Sequence, residues 1–148
     1  MKFLTVALVA VMTLAVTSCQ KDPEDLIIGT WNGTTAYSTF TITGFGEEID
    51  GTTADTITMA EGDYAYTFNK DNTMTIHAVD EESGTATDSQ ATYTINDKTL
   101  TITTEGEPVE MTIVEISKKD LVLSYTVSMA QGEGSMTLGT EIHFKKAK

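Results

Sequence analysis

The sequence predicts an all-β fold, an antiparallel meander of eight to ten strands closed into a barrel. Three observations lead there. Threonine, whose branched Cβ suits the pleated surface of a sheet, makes up about a fifth of the chain. From Ile27 onward apolar and polar residues alternate at period two in segment after segment, and no run repeats at the helical period. Short turns rich in Gly, Asn and Asp join these segments, as hairpins require. Closing the meander removes edge strands that would recruit other chains. A two-sheet sandwich is the rival arrangement.

Residues 1–18 stand apart. Lys2 supplies a positive start, and Phe3 to Val16 is an uncharged run. That run is short for a transmembrane helix, which needs about 20 apolar residues, and it suits a signal peptide. Val16-Thr17-Ser18-Cys19 then resembles a lipobox, an aliphatic residue and two small ones before cysteine. Residues 1–18 are thus expected to be a cleaved signal peptide. Cys19, the only cysteine, is expected to carry a lipid of the palmitate type. Residues 19–26 follow as an acidic tether. Gln20-Lys21-Asp22-Pro23-Glu24-Asp25 holds charge and a proline but no apolar residue. This tract resembles the one that follows the lipidated cysteine in surface-exposed lipoproteins of Bacteroides-like bacteria. The expected location is the cell envelope, on the outer membrane, with the lipid on Cys19 as the membrane partner.

Residues 27–148 form the single domain. Trp31 and the pair Phe40 and Ile42 are out of phase, so the first strand is expected to be long and bent. Tyr64, Tyr66 and Phe68 share a face, and Asn69-Lys70-Asp71-Asn72 turns the chain. Met74, Ile76 and Ala78 form the next stripe, then Ala91, Tyr93 and Ile95, then Leu100 and Ile102 after the turn Asn96-Asp97-Lys98. Val109, Met111 and Ile113 give way to Val114 and Ile116 in the opposite phase, which predicts a β-bulge near Ile113. Leu121, Leu123, Tyr125, Val127 and Met129 form the cleanest stripe, and Met136, Leu138, Ile142 and Phe144 the last. Two long polar loops, Gly44–Gly51 and Asp80–Ala86, belong at barrel mouths.

Charge removes whole classes of function. The formal net charge is −13 and there is no arginine. Binding to nucleic acid needs a basic face that displaces counterions, and none can be built. The lysines fall in the tether, the turns and the C-terminal tail, and none is expected on an inward stripe. A buried anionic head group would therefore go unpaired.

Gly29-Thr30-Trp31, preceded by Leu26-Ile27-Ile28, resembles the opening of a lipocalin. The order Gly29–Trp31, Tyr66–Ile76, Ala91–Ile95 and Leu100–Ile102 is similar to the lipocalin-like lipoproteins of Bacteroidetes. Asn72 stands where that pattern usually has Gly, and Asn tolerates the left-handed turn conformation. The resemblance implies a calycin-type barrel with Trp31 packed across its closed end and an apolar cavity. It implies no activity.

No catalytic motif is present. There is no Gly-x-Ser-x-Gly elbow. His77 and His143 are expected on solvent-facing strand positions. Glu47-Glu48-Ile49-Asp50 and Asp80-Glu81-Glu82 lack the spacing of a Ca²⁺ loop and read as solvated. No metal, cofactor or enzymatic reaction is expected. Binding remains, with Tyr64, Tyr66, Phe68, Tyr93, Leu123, Tyr125 and Met129 as the candidate cavity lining. The same residues would simply pack a filled barrel, since eight strands leave little space inside. The expected function is a membrane-anchored, non-enzymatic binder of a small uncharged apolar or glycan-like ligand. The alternative is an interaction subunit of an outer-membrane protein complex.

Overall fold

A computed structural model describes residues 21–148, so the expected signal peptide and Cys19 lie outside the described residues. Among the described residues one short helix, α1 (Pro23–Ile27), precedes nine strands. These are β1 (Gly29–Thr43), β2 (Gly51–Thr58), β3 (Tyr64–Phe68), β4 (Thr73–Val79), β5 (Ala86–Asn96), β6 (Thr99–Thr104), β7 (Glu107–Ile116), β8 (Asp120–Gln131) and β9 (Gly134–Lys146). From β3 to β9 each strand pairs antiparallel with the next, and β1 closes the ring by pairing with both β3 and β9. Eight strands make the barrel, and β2 is a ninth that pairs with β1.

Along one edge β1 serves two neighbours, β3 and β2, because it bends. Its lower half, Gly29–Asn32, pairs with β3, and its upper half, Thr35–Ile42, pairs with β2. The register against β9 shifts between Gly33 and Thr35, which accounts for the phase change between Trp31 and Phe40. A side chain at Gly33 would begin 3.0 Å from the Tyr64 ring and 3.1 Å from Met59 Sδ, so the bend needs glycine there. The second expected bulge is also present, between Ile113 and Glu115 against β8. In the β3–β4 turn Asn72 takes φ +63°, the left-handed conformation expected of it.

The closed end holds the densest packing. Trp31, Phe68, Met74, Leu100, Leu121, Leu123 and Phe144 are buried with Ile27. Trp31 Nε1 donates to the Ile27 carbonyl at 2.6 Å. Lys21, Asp22, Glu24 and Asp25 of the tether are solvent-exposed, and its C-terminal end is helical. Pro23 starts a helical turn, for which its fixed φ is suited, and this turn seats Ile27 beneath the barrel. The placement of the lysines is corrected. Lys146 extends the Ile142–Phe144 stripe, stands 4.2 Å from the centre of the Trp31 ring, and donates to the carbonyls of Leu26 and Ile28.

The other end opens into a projecting sheet. The upper halves of β1, β8 and β9, with all of β2, extend beyond the ring as four antiparallel strands. Its inner face continues the core stripes: Phe40, Ile57, Val127, Met129 and Leu138 follow Ala36, Leu123 and Ile142 and are exposed. The outer face is rich in threonine and serine, knitted by hydroxyl pairs such as Thr41–Thr52 and Ser128–Thr137, each at 3.0 Å.

Candidate functional site

The seven candidate lining residues separate into three levels. Phe68 and Leu123 lie deep and fully buried, and Tyr66 is buried beside Phe144 at a ring separation of 5.0 Å. Tyr93 packs edge-on against Phe68 at 5.0 Å and donates its hydroxyl to the Asn69 carbonyl at 2.7 Å, which places it at the closed end. These four are core. Tyr64 and Tyr125 are half-buried at the rim, packed on that core with Ile76. Met129 is 59% exposed on the projecting sheet. Its assignment to a barrel lining is corrected: the stripe is continuous, but β8 outruns the ring.

The rim carries the polar chemistry. Tyr64 and Tyr66 share a hydrogen bond between their hydroxyls at 2.7 Å. Burial raises both phenols above their ordinary pKa, Tyr66 the more strongly. Both stay neutral at physiological pH and act as uncharged hydrogen-bonding groups at the rim. Met59 and Ala36 pack against the same rim.

Charge is segregated along the barrel axis. The lysines at 21, 70, 98, 118, 119, 145, 146 and 148 stand on the tether, on closed-end turns or at the end of β9. The open-end turns carry Glu47, Glu48, Asp50, Glu61, Asp63, Asp80, Glu81, Glu82, Glu105 and Glu133, and no lysine. Several of these acids hold the turns themselves. Asp50 accepts from the backbone N–H groups of Gly44 and Phe45 at 2.9 and 2.8 Å, and Asp80 from the N–H and hydroxyl of Ser83, both at 2.7 Å. Among the described residues no three metal-ligating side chains converge.

His77 pairs with Asp88 at 2.6 Å and His143 with Glu141 at 2.7 Å, both on the outer surface. A polar cleft of about 850 Å³ at the closed end is lined by Lys21, Glu24, Asp25, Lys70 and Tyr93. It is the seam where the tether meets the barrel wall, and its charges of both signs suit contact with the chain itself. Lys146 is the residue that sequence reasoning missed. Its signal was the period of two from Ile142 through Phe144.

The family model described as a lipocalin-like domain matches residues 27–123. A lipocalin-like protein from Bacteroides uniformis ATCC 8492 aligns in structure with a TM-score of 0.51 at 12% identity, over 82% of this chain and 99% of that one. An uncharacterized protein from Bacteroides eggerthii DSM 20697 gives 0.49 at 11% identity, over 82% and 99%. Apocrustacyanin C1 gives 0.49 at 12%, over 86% of this chain and 64% of its own. Among curated proteins, none matches this chain in sequence.

Proposed function

The chain belongs to the lipocalin-like domain family, and on that premise we propose that it is a non-enzymatic lipoprotein of the cell envelope that binds a small uncharged apolar ligand at its open end. One observation carries the reading. The apolar stripe of the core runs past the rim and stays exposed on the inner face of the projecting sheet, at Phe40, Ile57, Val127, Met129 and Leu138. An apolar face of this kind next to a neutral phenol pair suits a molecule with an apolar body and one hydrogen-bonding end. The ligand rests on this mouth, not in the packed lower barrel.

Neutrality follows from the charge segregation. A carboxylate at the mouth meets acids and no lysine, and among the described residues the one cation on an inward stripe, Lys146, is at the far end. A fatty alcohol is therefore expected to bind at least about tenfold more tightly than the matching fatty acid at pH 7.5, a difference of about 1.4 kcal/mol. The gap narrows at pH 5 as the acid becomes protonated. Titrating both compounds at both pH values tests this, and equal affinity at pH 7.5 overturns it. Anchoring is tested separately. Cys19→Ala is expected to abolish labelling by a palmitate probe without changing the fold, because the described barrel begins beyond it.

A partner protein is the second reading, favoured by the outer edge of β2, which pairs with no other strand among the described residues. Native mass spectrometry of protein from its own host separates the two. A co-purifying small molecule supports the first, and a stoichiometric protein complex supports the second.

A further inference from the structure

The outer face of the projecting sheet bears a second, polar site. Tyr37 on β1 faces Glu141 on β9, which faces Ser124 on β8. One step toward the tip, Thr39 faces Gly139, which faces Thr126. Alternation puts all six on the side opposite Phe40 and Leu138. Gly139 has no side chain, so the surface sinks there into a shallow depression of about 290 Å³ lined by these residues. A Cβ at Gly139 would begin 2.9 Å from Thr39 Oγ1.

The walls are held in place. The Tyr37 ring is 45% exposed and meets His143 edge-on, with ring centres 5.1 Å apart at 75°. His143 Nε2 donates to Glu141 Oε1 at 2.7 Å. One imidazole thus positions both the aromatic ring and the carboxylate. Neither the barrel core nor the apolar mouth uses this trio, and Tyr37 is the one Phe, Tyr or Trp on the outer face of these four strands.

We propose that this depression binds a neutral pyranose sugar. A pyranose presents a face of C–H bonds, which packs against the electron-rich face of an aromatic ring, and a rim of hydroxyls that both donate and accept. Tyr37 supplies the ring. Glu141 accepts, and the hydroxyls of Thr39, Ser124 and Thr126 do either. The alternatives fit less well. An anion finds no lysine lining this depression, and a hard cation finds one carboxylate, already bonded to His143, where it needs six or more oxygens. The volume is at the lower end for small-molecule sites, which suits one sugar ring. Shallowness makes the binding weak for a single ring, and repeated units on one glycan would raise it through multivalency.

The test uses the mature chain and the methyl glycosides of glucose, galactose, mannose and N-acetylglucosamine, followed by amide NMR and saturation transfer. With at least one glycoside, the amides of Thr39, Gly139 and Thr126 are expected to shift, with transfer from a tyrosine ring to the sugar C–H protons. Tyr37→Ala and Gly139→Val are each expected to weaken that binding about tenfold or more. Unchanged Trp31 fluorescence reports an intact barrel in both. Three results overturn the proposal: no shift with any glycoside up to its solubility limit, shifts confined to the mouth or closed end, or full affinity in both variants. If a variant fails to fold, the shift map of the parent protein still decides.

Discussion

The two ends of this barrel are built from the same alternating strands and behave as opposites. At the closed end every inward residue meets another: Trp31 sits on Ile27, under Lys146 and beside Phe68 and Phe144. At the open end the same stripes continue, but nothing covers them. Leu121 and Leu123 are buried, whereas Val127 and Met129 on the same strand are about half exposed or more, 49% and 59%. Alternation alone therefore does not make a core. It makes one only where the ring closes and brings a second layer against the stripe. The lower end is packed, and the apolar stripes of the upper end are exposed.

The comparison is broken most directly at Trp31. Trp31→Ala removes a fully buried indole and its hydrogen bond to Ile27, and is expected to cost about 3–5 kcal/mol. That is a large share of the roughly 5–15 kcal/mol of a whole domain. Urea unfolding followed by circular dichroism measures it. A loss below about 1 kcal/mol would mean that the closed end is not the stable half.

Lys146→Met tests how far the lid of that end matters. The substitution keeps the aliphatic cover on Trp31 and removes two hydrogen bonds to carbonyls. The ammonium is partly exposed, so the expected loss is discounted to about 1 kcal/mol. The same unfolding assay reports it, and burial lowers the pKa of the amine, so it carries a second signature. Between its lowered native value and its ordinary value the unfolded chain binds more protons. Stability from this group thus rises with pH through that window in the parent and not in the variant.

Leu138→Ser, on the open sheet, is expected to change stability by less than about 0.5 kcal/mol, because the residue is already 39% exposed. It is expected to weaken fatty-alcohol binding several-fold. A stability loss like that of Trp31→Ala would show that the upper sheet is covered after all.

The smallest effects are electrostatic. Asp120 at the closed end is held below the usual carboxylate range first by its hydrogen bond from Lys145, and Asp50 at the open end by backbone N–H groups of Phe45 and Gly44. Both carboxylates are depressed on folding. Their contribution is present above the unfolded value near 3.8 and is lost as pH falls through the lowered native values. Asp120→Asn and Asp50→Asn should each flatten the acid limb of a stability curve. Salt should shrink the difference for Asp120, whose partner is an exposed ammonium, more than for Asp50, whose partners are peptide dipoles.

Much of this was legible in the residues. The period of two located β3 through β9, because a half-buried strand must present one apolar face. Both bulges, in β1 near Gly33 and in β7 near Ile113, showed as changes of phase, since one extra residue flips every later side chain. The resemblance of Gly29-Thr30-Trp31 to a lipocalin opening pointed to the closed end. The candidate lining was legible only as a stripe. Period two says that Tyr66, Leu123 and Met129 face the same way, but not how high the ring rises around them.

By itself, then, the sequence determined the fold class, the order and phase of the strands, the acidic charge without arginine, and the turn chemistry at Asn72. These are properties of neighbours along the chain, set by sterics and by solvation of alternate side chains. Tertiary structure decided the rest. It made a short helix of the expected tether by giving Ile27 a place under Trp31. It drew Lys146 over that ring, gathered the lysines at one end, and set Tyr37, Gly139 and Glu141 in one depression from strands about a hundred residues apart. Such placements depend on which strands close the ring and how far each outruns it, and pairing between distant segments carries no local signal.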